Sequence, residues 1–454
     1  MEFGDVEEAK DTPEPVQNTL EVKVFKRRWF QLALFILYSV NTYIHMYQYT
    51  IISNIICRYY NVSSLAVAWT TIISQVVYLV LIIPCSYLIN LIGLRWSILT
   101  GATVTCLGAW IKVFSVSPDR FAVTLIGQTI IFVSKPFIRP LPGLLAAHWF
   151  GPKQTAFAST MATCGTIIGI SLGYTVIPMI VKNHEKIEKI GQDLSVLFWS
   201  VAVSSTVVCV ALMFLIKDKP RVPPSAAKSL QIAGGKGKTK DYLPIIRRIL
   251  SNRDYLLLLN SVGIVFGVQS AMLTMLNPLY LQHFKNSEKD AGMLGSLLVI
   301  AGAISSITAA LIVDKSKKFR EIAISFCVLS VLAEILFAVS FFAEIKWMVF
   351  VAGILLWSFL SGYITVNYEL NMELTYPEPE NISSGLLFVS ISIYNSLLIL
   401  ILDRLMKAYG DKAVHALCTL LFILSTFLTC VNKSELRRQK AAECALKYKA
   451  VPQK

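Results

Sequence analysis

The sequence predicts an all-α integral membrane protein with about twelve transmembrane helices, and its composition, apolar runs and charge placement all favour this fold class. Of the 454 residues, 55% are hydrophobic and 15% are charged, whereas soluble domains carry about 25% charged residues. About twelve apolar runs reach the roughly 20 residues that a membrane-spanning helix needs. Lys and Arg cluster in alternate connections and near both termini. The termini would then lie on the same side of the membrane, which requires an even number of spans.

The predicted spans follow one another along the whole chain. They begin near Trp29, Leu65, Trp96, Phe121, Lys153, Ser195, Tyr255, Met293, Ile322, Trp347, Ser383 and Ala413. The first follows a basic cluster and stays apolar far longer than the core of a signal peptide, and no small-residue cleavage pattern comes after it. We therefore expect a retained helix.

Basic residues set the predicted orientation. The connections 217–253 and 315–320 and the tail from residue 433 are rich in Lys and Arg, whereas the alternate connections are short and poorer in cations. The positive-inside rule places these segments and both termini in the cytosol. The net charge of +14 thus reflects topology, and because its cations are spread over separate connections, no nucleic-acid partner is expected.

The chain divides into two sets of six spans. The connection between them contains Pro223-Pro224 and a Gly/Lys stretch at 234–238, which cannot pack a core and indicates a flexible linker. We predict a cytosolic tail at 1–28, a six-helix half at 29–216, a cytosolic linker at 217–254, a second half at 255–432 and a cytosolic tail at 433–454. Two such halves around one midplane site are typical of secondary transporters.

Enzyme and metal chemistry find no support in the sequence. It has no Walker loop, dinucleotide-binding glycine turn, zinc-binding His-Glu-x-x-His or nucleophile elbow in a suitable setting. The nine cysteines show neither paired nor metal-type spacing and read as small core residues. We predict no enzymatic activity, no cofactor and no metal site.

Charged and polar side chains inside the fourth span mark a candidate pathway, because a charge at bilayer depth is costly unless it faces a cavity or a partner. Gln128, Lys135 and Arg139 are separated by seven and four residues and would share one helical face. We predict that Gln128 and Lys135 contact substrate.

The first span carries a similar polar stripe. Asn41, His45 and Gln48 recur at spacings of four and three, with Tyr49 beside them. We predict that this stripe lines a cavity, and hydrogen bonding between helices without substrate contact is the alternative. A lone intramembrane histidine such as His45 is more typical of a hydrogen-bonded structural residue than of a haem ligand.

The second half supplies an opposing stripe and a candidate gate. Gln269, Ser270 and Asn277 lie in the seventh span, where they would face the first. In the tenth span, Glu369 and Glu373 lie toward the predicted cytosolic end. Arg139 or Lys135 would pair with one of these acids when that side closes, and ordinary ion pairs in the cytosolic loops are the alternative.

A glycine ladder in the fifth span allows a neighbouring helix to approach closely. Gly165, Gly169 and Gly173 repeat at a spacing of four. The ladder is either a surface that slides during transport or a site of static close packing, and the sequence favours neither.

A series of stretches from the first span to the tail resembles the feline leukaemia virus subgroup C receptor-related (FLVCR) family. They are residues 53–55, 106–112, 149–151, 219–225, 373–378, 382–387 and 436–440. The resemblance implies the major facilitator fold, with twelve helices in two six-helix halves. It also implies alternating access and transport of choline and ethanolamine, with haem export as the older assignment.

Three positions depart from the choline-binding cage that the resemblance implies. The choline-transporting members place a tryptophan on the first span, a tyrosine on the seventh and a glutamine on the fourth, and these positions are Met46, Ser270 and Lys135 here. Two aromatic rings that would hold a quaternary ammonium are missing. A lysine a few ångströms from a cationic head group would repel it by about 4 kcal/mol at an effective dielectric near 20.

Three interpretations stay open for the altered cage. Lys135 is neutralised by a partner such as Glu369, or the substrate is anionic or zwitterionic, such as haem, and is bound by Lys135 and Arg139. In the third interpretation the cage is rebuilt from Tyr43, Tyr47, Trp357 or Tyr363. A non-transporting cell-surface receptor is the rival from another class, since members of the family serve as viral receptors, but it leaves the intramembrane polar stripes without a function.

The predicted setting is the plasma membrane, with an organelle membrane as the alternative, and a monomer is expected in the lipid bilayer. Asn61-Val62-Ser63 would be glycosylated in the first external loop, whereas the sequon at Asn381 lies on the cytosolic side.

Overall fold

The computed structural model describes residues 26–151, 154–218, 242–316, 318–378 and 380–432, and every regular element within these ranges is a helix. The first half contains Arg27–Tyr43, the 3₁₀ turn Thr50–Ile52, Ser53–Tyr60, Ser64–Val113, Phe121–Val133, Lys135–Ile138, Leu141–Trp149, Thr155–Ile180 and Ile187–Leu215. The second half contains Tyr242–Leu250, Arg253–Thr274, Leu276–His283, Glu288–Ser316, Phe319–Phe342, Lys346–Thr375, Glu380–Tyr409 and Asp411–Val431. Residues 1–25 of the predicted N-terminal tail, the whole predicted C-terminal tail and residues 219–241 of the predicted linker lie outside the described residues.

Twelve spans cross the bundle, which confirms the predicted fold class. Eleven segments of the described chain are long and apolar enough to cross a membrane, and they are numbered as spans 2 to 12 in chain order: Ser64–Ile89, Leu91–Val113, Phe121–Ile138, Phe157–Ile180, Ile187–Leu215, Arg253–Thr274, Glu288–Ser316, Phe319–Phe342, Lys346–Thr375, Ile382–Tyr409 and Asp411–Val431. Span 1 completes the set, and it is divided into Arg27–Tyr43, Thr50–Ile52 and Ser53–Tyr60. Span 7 is divided too, into Arg253–Thr274 and Leu276–His283. The first span of each half is therefore interrupted.

Spans 2 and 3 are joined by a tight reversal at Gly93, whose φ of 80° is a conformation that only glycine adopts without strain. A Cβ on Gly93 would lie 3.1 Å from Oδ1 of Asp218. The same oxygen accepts a hydrogen bond of 3.1 Å from the backbone N–H of Arg95. The reversal is thus tied to the end of span 6.

Two predicted boundaries differ from the structure. Span 6 begins at Ile187, two turns before the expected Ser195. The extra turns contain Glu188 and Asp193. These acidic residues interrupt the apolar run in the sequence, but they belong to the first turns of one continuous helix. The helix Tyr242–Leu250 lies within the predicted linker.

We call the end of the bundle where span 1 begins and span 12 ends the terminal end, and the opposite end, which holds residues 61–63, the far end. The halves meet where span 5 packs on span 8 and span 2 packs on span 11. At the first crossing, Gly292 and Gly295 lie against Tyr174, and a Cβ on Gly292 would come within 2.3 Å of the Tyr174 carbonyl oxygen. This crossing is close to the far end.

The glycine ladder of span 5 packs against span 1 of its own half. A Cβ on Gly165, Gly169 or Gly173 would lie 2.9, 2.7 or 2.8 Å from the carbonyl oxygen of residue 36, 40 or 44 of that span, respectively. Because both helices belong to one half, the ladder fits static close packing and does not form a sliding surface between the halves.

Candidate functional site

A cavity of about 210 Å³ lies between the two halves, and we call it the cationic chamber. Span 1 contributes Met46, span 4 contributes Lys135 and Arg139, and span 7 contributes Ser270. The three positions that the family resemblance assigned to a substrate cage therefore converge on one cavity.

Lys135 reaches the cationic chamber because span 4 is interrupted on either side of it. The helix Phe121–Val133 ends at Ser134, a short helix Lys135–Ile138 follows, and Pro140 precedes the next. The Lys135 side chain is 5% exposed, and its Nζ lies 3.3 Å from Oγ of Ser74 and 3.4 Å from Oε1 of Gln75 on span 2. These neutral oxygens hold the ammonium without neutralising it.

Arg139 lies between the two halves. Its guanidinium carbon is 3.7 Å from the ring centroid of Phe388 on span 11 and 5.3 Å from that of Tyr78 on span 2. Such cation–π contacts hold an arginine in an apolar setting. Near the terminal end of span 10, Glu373 is buried and Glu369 is exposed, and their pairing with Arg139 stays a prediction.

A second cavity of about 240 Å³ adjoins the first, and we call it the aromatic chamber. The two chambers share Tyr47, Phe266 and Ser270, and Trp357 of span 10 lines the second. The hydroxyl groups of Tyr47 and Ser270 lie 3.3 Å apart across the halves. Gln269 also lines this chamber and donates to Oγ of Ser361 at 3.0 Å.

A buried lysine of span 3, Lys112, organises the interrupted part of span 1. Nζ of Lys112, on span 3, lies 2.6 Å from Oε1 of Gln48 and 3.0 Å from both Oε1 of Gln128 and Nδ1 of His45. It also lies 4.9 Å from the ring centroid of Tyr49. Four predicted site residues thus surround one ammonium group.

Gln128 completes this cluster by donating from its amide nitrogen to the His45 carbonyl oxygen at 2.8 Å. That carbonyl lies just beyond the end of the helix Arg27–Tyr43, where helical partners are lost. The cluster therefore fixes the break that presents Met46 and Tyr47 to the chambers.

Asn41 and Asn277 make contacts between helices. Asn41 donates to Oγ of Ser205 on span 6 at 3.0 Å. The Asn277 amide nitrogen, on span 7, donates to the Ile51 carbonyl oxygen at 2.8 Å, and its Oδ1 accepts from Oγ of Ser53 at 2.9 Å. Oδ1 also accepts from the backbone N–H of residue 54 at 3.3 Å.

Polar contacts hold the far end closed. Oε1 of Glu288 on span 8 accepts from the side-chain amides of Asn54 at 2.9 Å and Asn183 at 3.0 Å. Oγ of Ser64 donates to Asp403 of span 11 at 2.6 Å. Each of these contacts joins the two halves, so together they keep the halves in contact at the far end.

The structure divides Arg139 and the predicted substrate-binding residues into three groups. Met46, Lys135, Ser270, Gln269 and Arg139 line the chambers. His45, Gln48, Tyr49 and Gln128 surround Lys112, and Asn41 and Asn277 join helices. The predicted glycosylation residue Asn61 is exposed at the far end with a φ of 51°.

Lys112 is not among the site residues predicted from the sequence, although one signal could have placed it in the bundle interior. Lys112 lies seven residues after Thr105, so the two polar side chains share a helical face.

Twelve spans in two halves around a central cavity define the class of protein as a transporter of the major facilitator type. The sequence profile of the Major Facilitator Superfamily matches residues 34–381. A bacterial homologue of the human lysosomal transporter Spinster, solved inward-facing and unoccupied, superimposes with a TM-score of 0.70 at 13% identity, covering 91% of this chain and 98% of that one. The fucose:proton symporter FucP of E. coli gives a TM-score of 0.59 over 89% of this chain and 98% of that one, also at 13% identity.

Curated relatives define the family within this class. The choline/ethanolamine transporter FLVCR2 of Rattus norvegicus is 33% identical over 92% of this chain and 77% of its own length. The choline/ethanolamine transporter FLVCR1 of Felis catus is 34% identical over 91% of this chain and 74% of its own length. An uncharacterised transporter of the same superfamily from Caenorhabditis elegans is 35% identical over 94% of this chain and 72% of its own length. The chain belongs to the FLVCR family.

Proposed function

We propose that this protein is a secondary transporter that moves a small solute through the two chambers by alternating access. The observation that carries the proposal is the convergence of Met46, Lys135 and Ser270 on a cavity between the halves. Rocking of the halves would exchange the closed far end for a closed terminal end.

The first candidate substrates are choline and ethanolamine, which the relatives' names give as their cargo. The aromatic chamber supports this class, because Tyr47, Phe266 and Trp357 supply the ring faces that a methylated ammonium requires. These rings would replace the cage residues absent at Met46 and Ser270. Lys135 opposes the class, since it places a cation in the adjoining chamber.

The second candidate class is anionic or zwitterionic, and one observation favours it. Lys135 and Arg139 both line the cationic chamber, and no aspartate or glutamate is found among the described residues that line either chamber. A guanidinium and an ammonium together suit a carboxylate or phosphate. Haem carries carboxylates and so falls within this class.

The proposed orientation places the terminal end in the cytosol and Asn61 outside, at the plasma membrane, with the protein acting as a monomer. The basic connections 217–253 and 315–320 support it. An organelle membrane is the alternative to the plasma membrane. Protease protection of an epitope added at residue 454 would test whether the terminal end faces the cytosol.

Flux into proteoliposomes tests the transport function. Purified protein should carry labelled choline or ethanolamine, or an anionic competitor of them, at a rate well above empty liposomes. A changed flux in Lys135→Glu, lower for an anionic solute and higher for choline, would support the site, with Lys182→Glu as the exposed control that should change neither. Binding of a protein ligand at the far end with no flux of any solute would favour the receptor alternative.

A further inference from the structure

The two chambers differ in chemistry although they form one continuous site. Lys135 and Arg139 line the cationic chamber alone, and the residues described around the aromatic chamber include no Lys, Arg, Asp or Glu. Tyr47, Phe266 and Ser270 stand at the junction and belong to both. A solute that fills both chambers therefore meets fixed positive charge at one end and neutral aromatic faces at the other.

The cationic chamber is built to receive an anionic group. Lys135 is 5% exposed, and the oxygens nearest its Nζ, at 3.3 and 3.4 Å, belong to a serine and a glutamine. These contacts are longer than the roughly 2.7–2.9 Å of a good charge-assisted hydrogen bond. A carboxylate or phosphate oxygen would satisfy the ammonium better than either neighbour does.

The aromatic chamber offers an ammonium group ring faces instead of a carboxylate partner. Trp357 is the best of the three rings for a cation–π contact, it is 2% exposed, and its indole N–H has no hydrogen-bond partner among the described residues. Tyr47 is held in place by its contact with Ser270 and by the Tyr174 ring, whose centroid is 5.2 Å away. The Tyr47 ring is therefore held in place before a ligand arrives.

We propose that the substrate is a small zwitterion, with an ammonium group in the aromatic chamber and a carboxylate or phosphate at Lys135 and Arg139. The inference rests on the proposed transport function and narrows its substrate class. A free cation such as choline would fill the aromatic chamber but leave the positive charge beside it uncompensated, whereas a zwitterion satisfies both ends. The departure of Lys135 from the family's glutamine then becomes a determinant of specificity.

Solute counterflow in proteoliposomes containing the full chain tests the inference. The probes are labelled choline and ethanolamine as cations, and phosphocholine and glycine betaine as a phosphate and a carboxylate zwitterion. We expect at least one zwitterion to be exchanged about tenfold faster than choline. Lys135→Gln should lower zwitterion exchange about tenfold and raise that of choline, and Lys182→Gln, at an exposed far-end lysine, should change neither. Trp357→Leu should lower both.

The measurement on the unaltered protein keeps the test independent of how well the variants fold. Exchange of choline equal to or faster than that of both zwitterions would overturn the inference and leave the transport function intact. Exchange of none of the four solutes would overturn both the inference and the proposed transport function for this substrate class. An unchanged ratio in a folded Lys135→Gln variant would overturn the role of Lys135.

Discussion

A single methyl group at Gly292 should shift the equilibrium between the two conformations of the transporter. An alanine Cβ there would lie 2.3 Å from the Tyr174 carbonyl oxygen and 2.9 Å from Cγ of Pro178. Ordinary contacts of this kind begin near 3.4 Å, so spans 5 and 8 would have to separate by about 1 Å at the far end, and overpacking of this kind costs about 1–3 kcal/mol.

The cost falls on one state only. Spans 5 and 8 belong to different halves, so opening of the far end removes the clash, and the whole penalty biases the equilibrium. At about 2 kcal/mol the ratio of far-end-open to far-end-closed molecules should rise about 30-fold. Spin labels at positions 182 and 285, which are exposed on either half, would report this in a cysteine-depleted background as a longer distance by double electron–electron resonance.

Two glycine variants separate this effect from general damage. An alanine at Gly385 would meet nothing within 4 Å and should leave the distance distribution unchanged. An alanine at Gly165 would lie 2.8 Å from Cβ of Ser39 in the same half, so it should lower stability without favouring the open state. A folded Gly292→Ala protein with the unaltered distance distribution would refute the reasoning.

Three further predictions concern the polar contacts. Glu288→Ala should also favour the open far end, because it removes the carboxylate that accepts from both Asn54 and Asn183 across the halves. Since Asn54 is half-buried and Asn183 is exposed, each lost hydrogen bond should cost about 1 kcal/mol, and the same spin-label distance measures the shift. Lys112→Met should lower the thermal midpoint in detergent, because the buried amide oxygens of Gln48 and Gln128 lose their ammonium donor. The loss of about 1–3 kcal/mol for each is partly offset because no charge is buried any longer, and an unchanged midpoint would contradict this. Asn61→Gln should abolish a glycan-dependent mobility shift in cells that glycosylate, and a shift that persists would place the glycan elsewhere.

The spans could be predicted from the sequence because apolar length is a local property. Twelve runs gave twelve spans, and most predicted starts lie within about one turn of the helices. The exception, span 6, shows the limit of the approach: Glu188 and Asp193 interrupt hydropathy but not the helix. The reversal at Gly93 and the helix Tyr242–Leu250 depend on tertiary contacts and were not predicted.

The polar stripe of span 1 shows why the site was predicted only in part. Asn41, His45 and Gln48 share a face only if the helix continues, and it ends at Tyr43. Asn41 consequently contacts span 6, whereas His45 and Gln48 turn to Lys112 on span 3. Spacing describes one helix and carries no information on a break or on which neighbour a face meets.

The positions obtained from the family resemblance located the cavity more directly. Met46, Lys135 and Ser270 come from three different spans, and no spacing argument connects them. A resemblance transfers three-dimensional proximity from proteins of the same fold, which periodicity cannot supply. It does not transfer chemistry, because the side chains at all three positions differ.

Asn277 makes part of the first half's secondary structure depend on the second half. The helix Ser53–Tyr60 has only eight residues and no capping side chain of its own, and a helix of this length is marginal in isolation. Oδ1 of Asn277 accepts from the backbone N–H of Asn54 and from the hydroxyl group of Ser53 across the interface, and such caps contribute about 1 kcal/mol. Separation of the halves at the far end would therefore uncap this helix, so that opening is coupled to fraying of the last two turns of span 1 rather than being a motion of two rigid bodies.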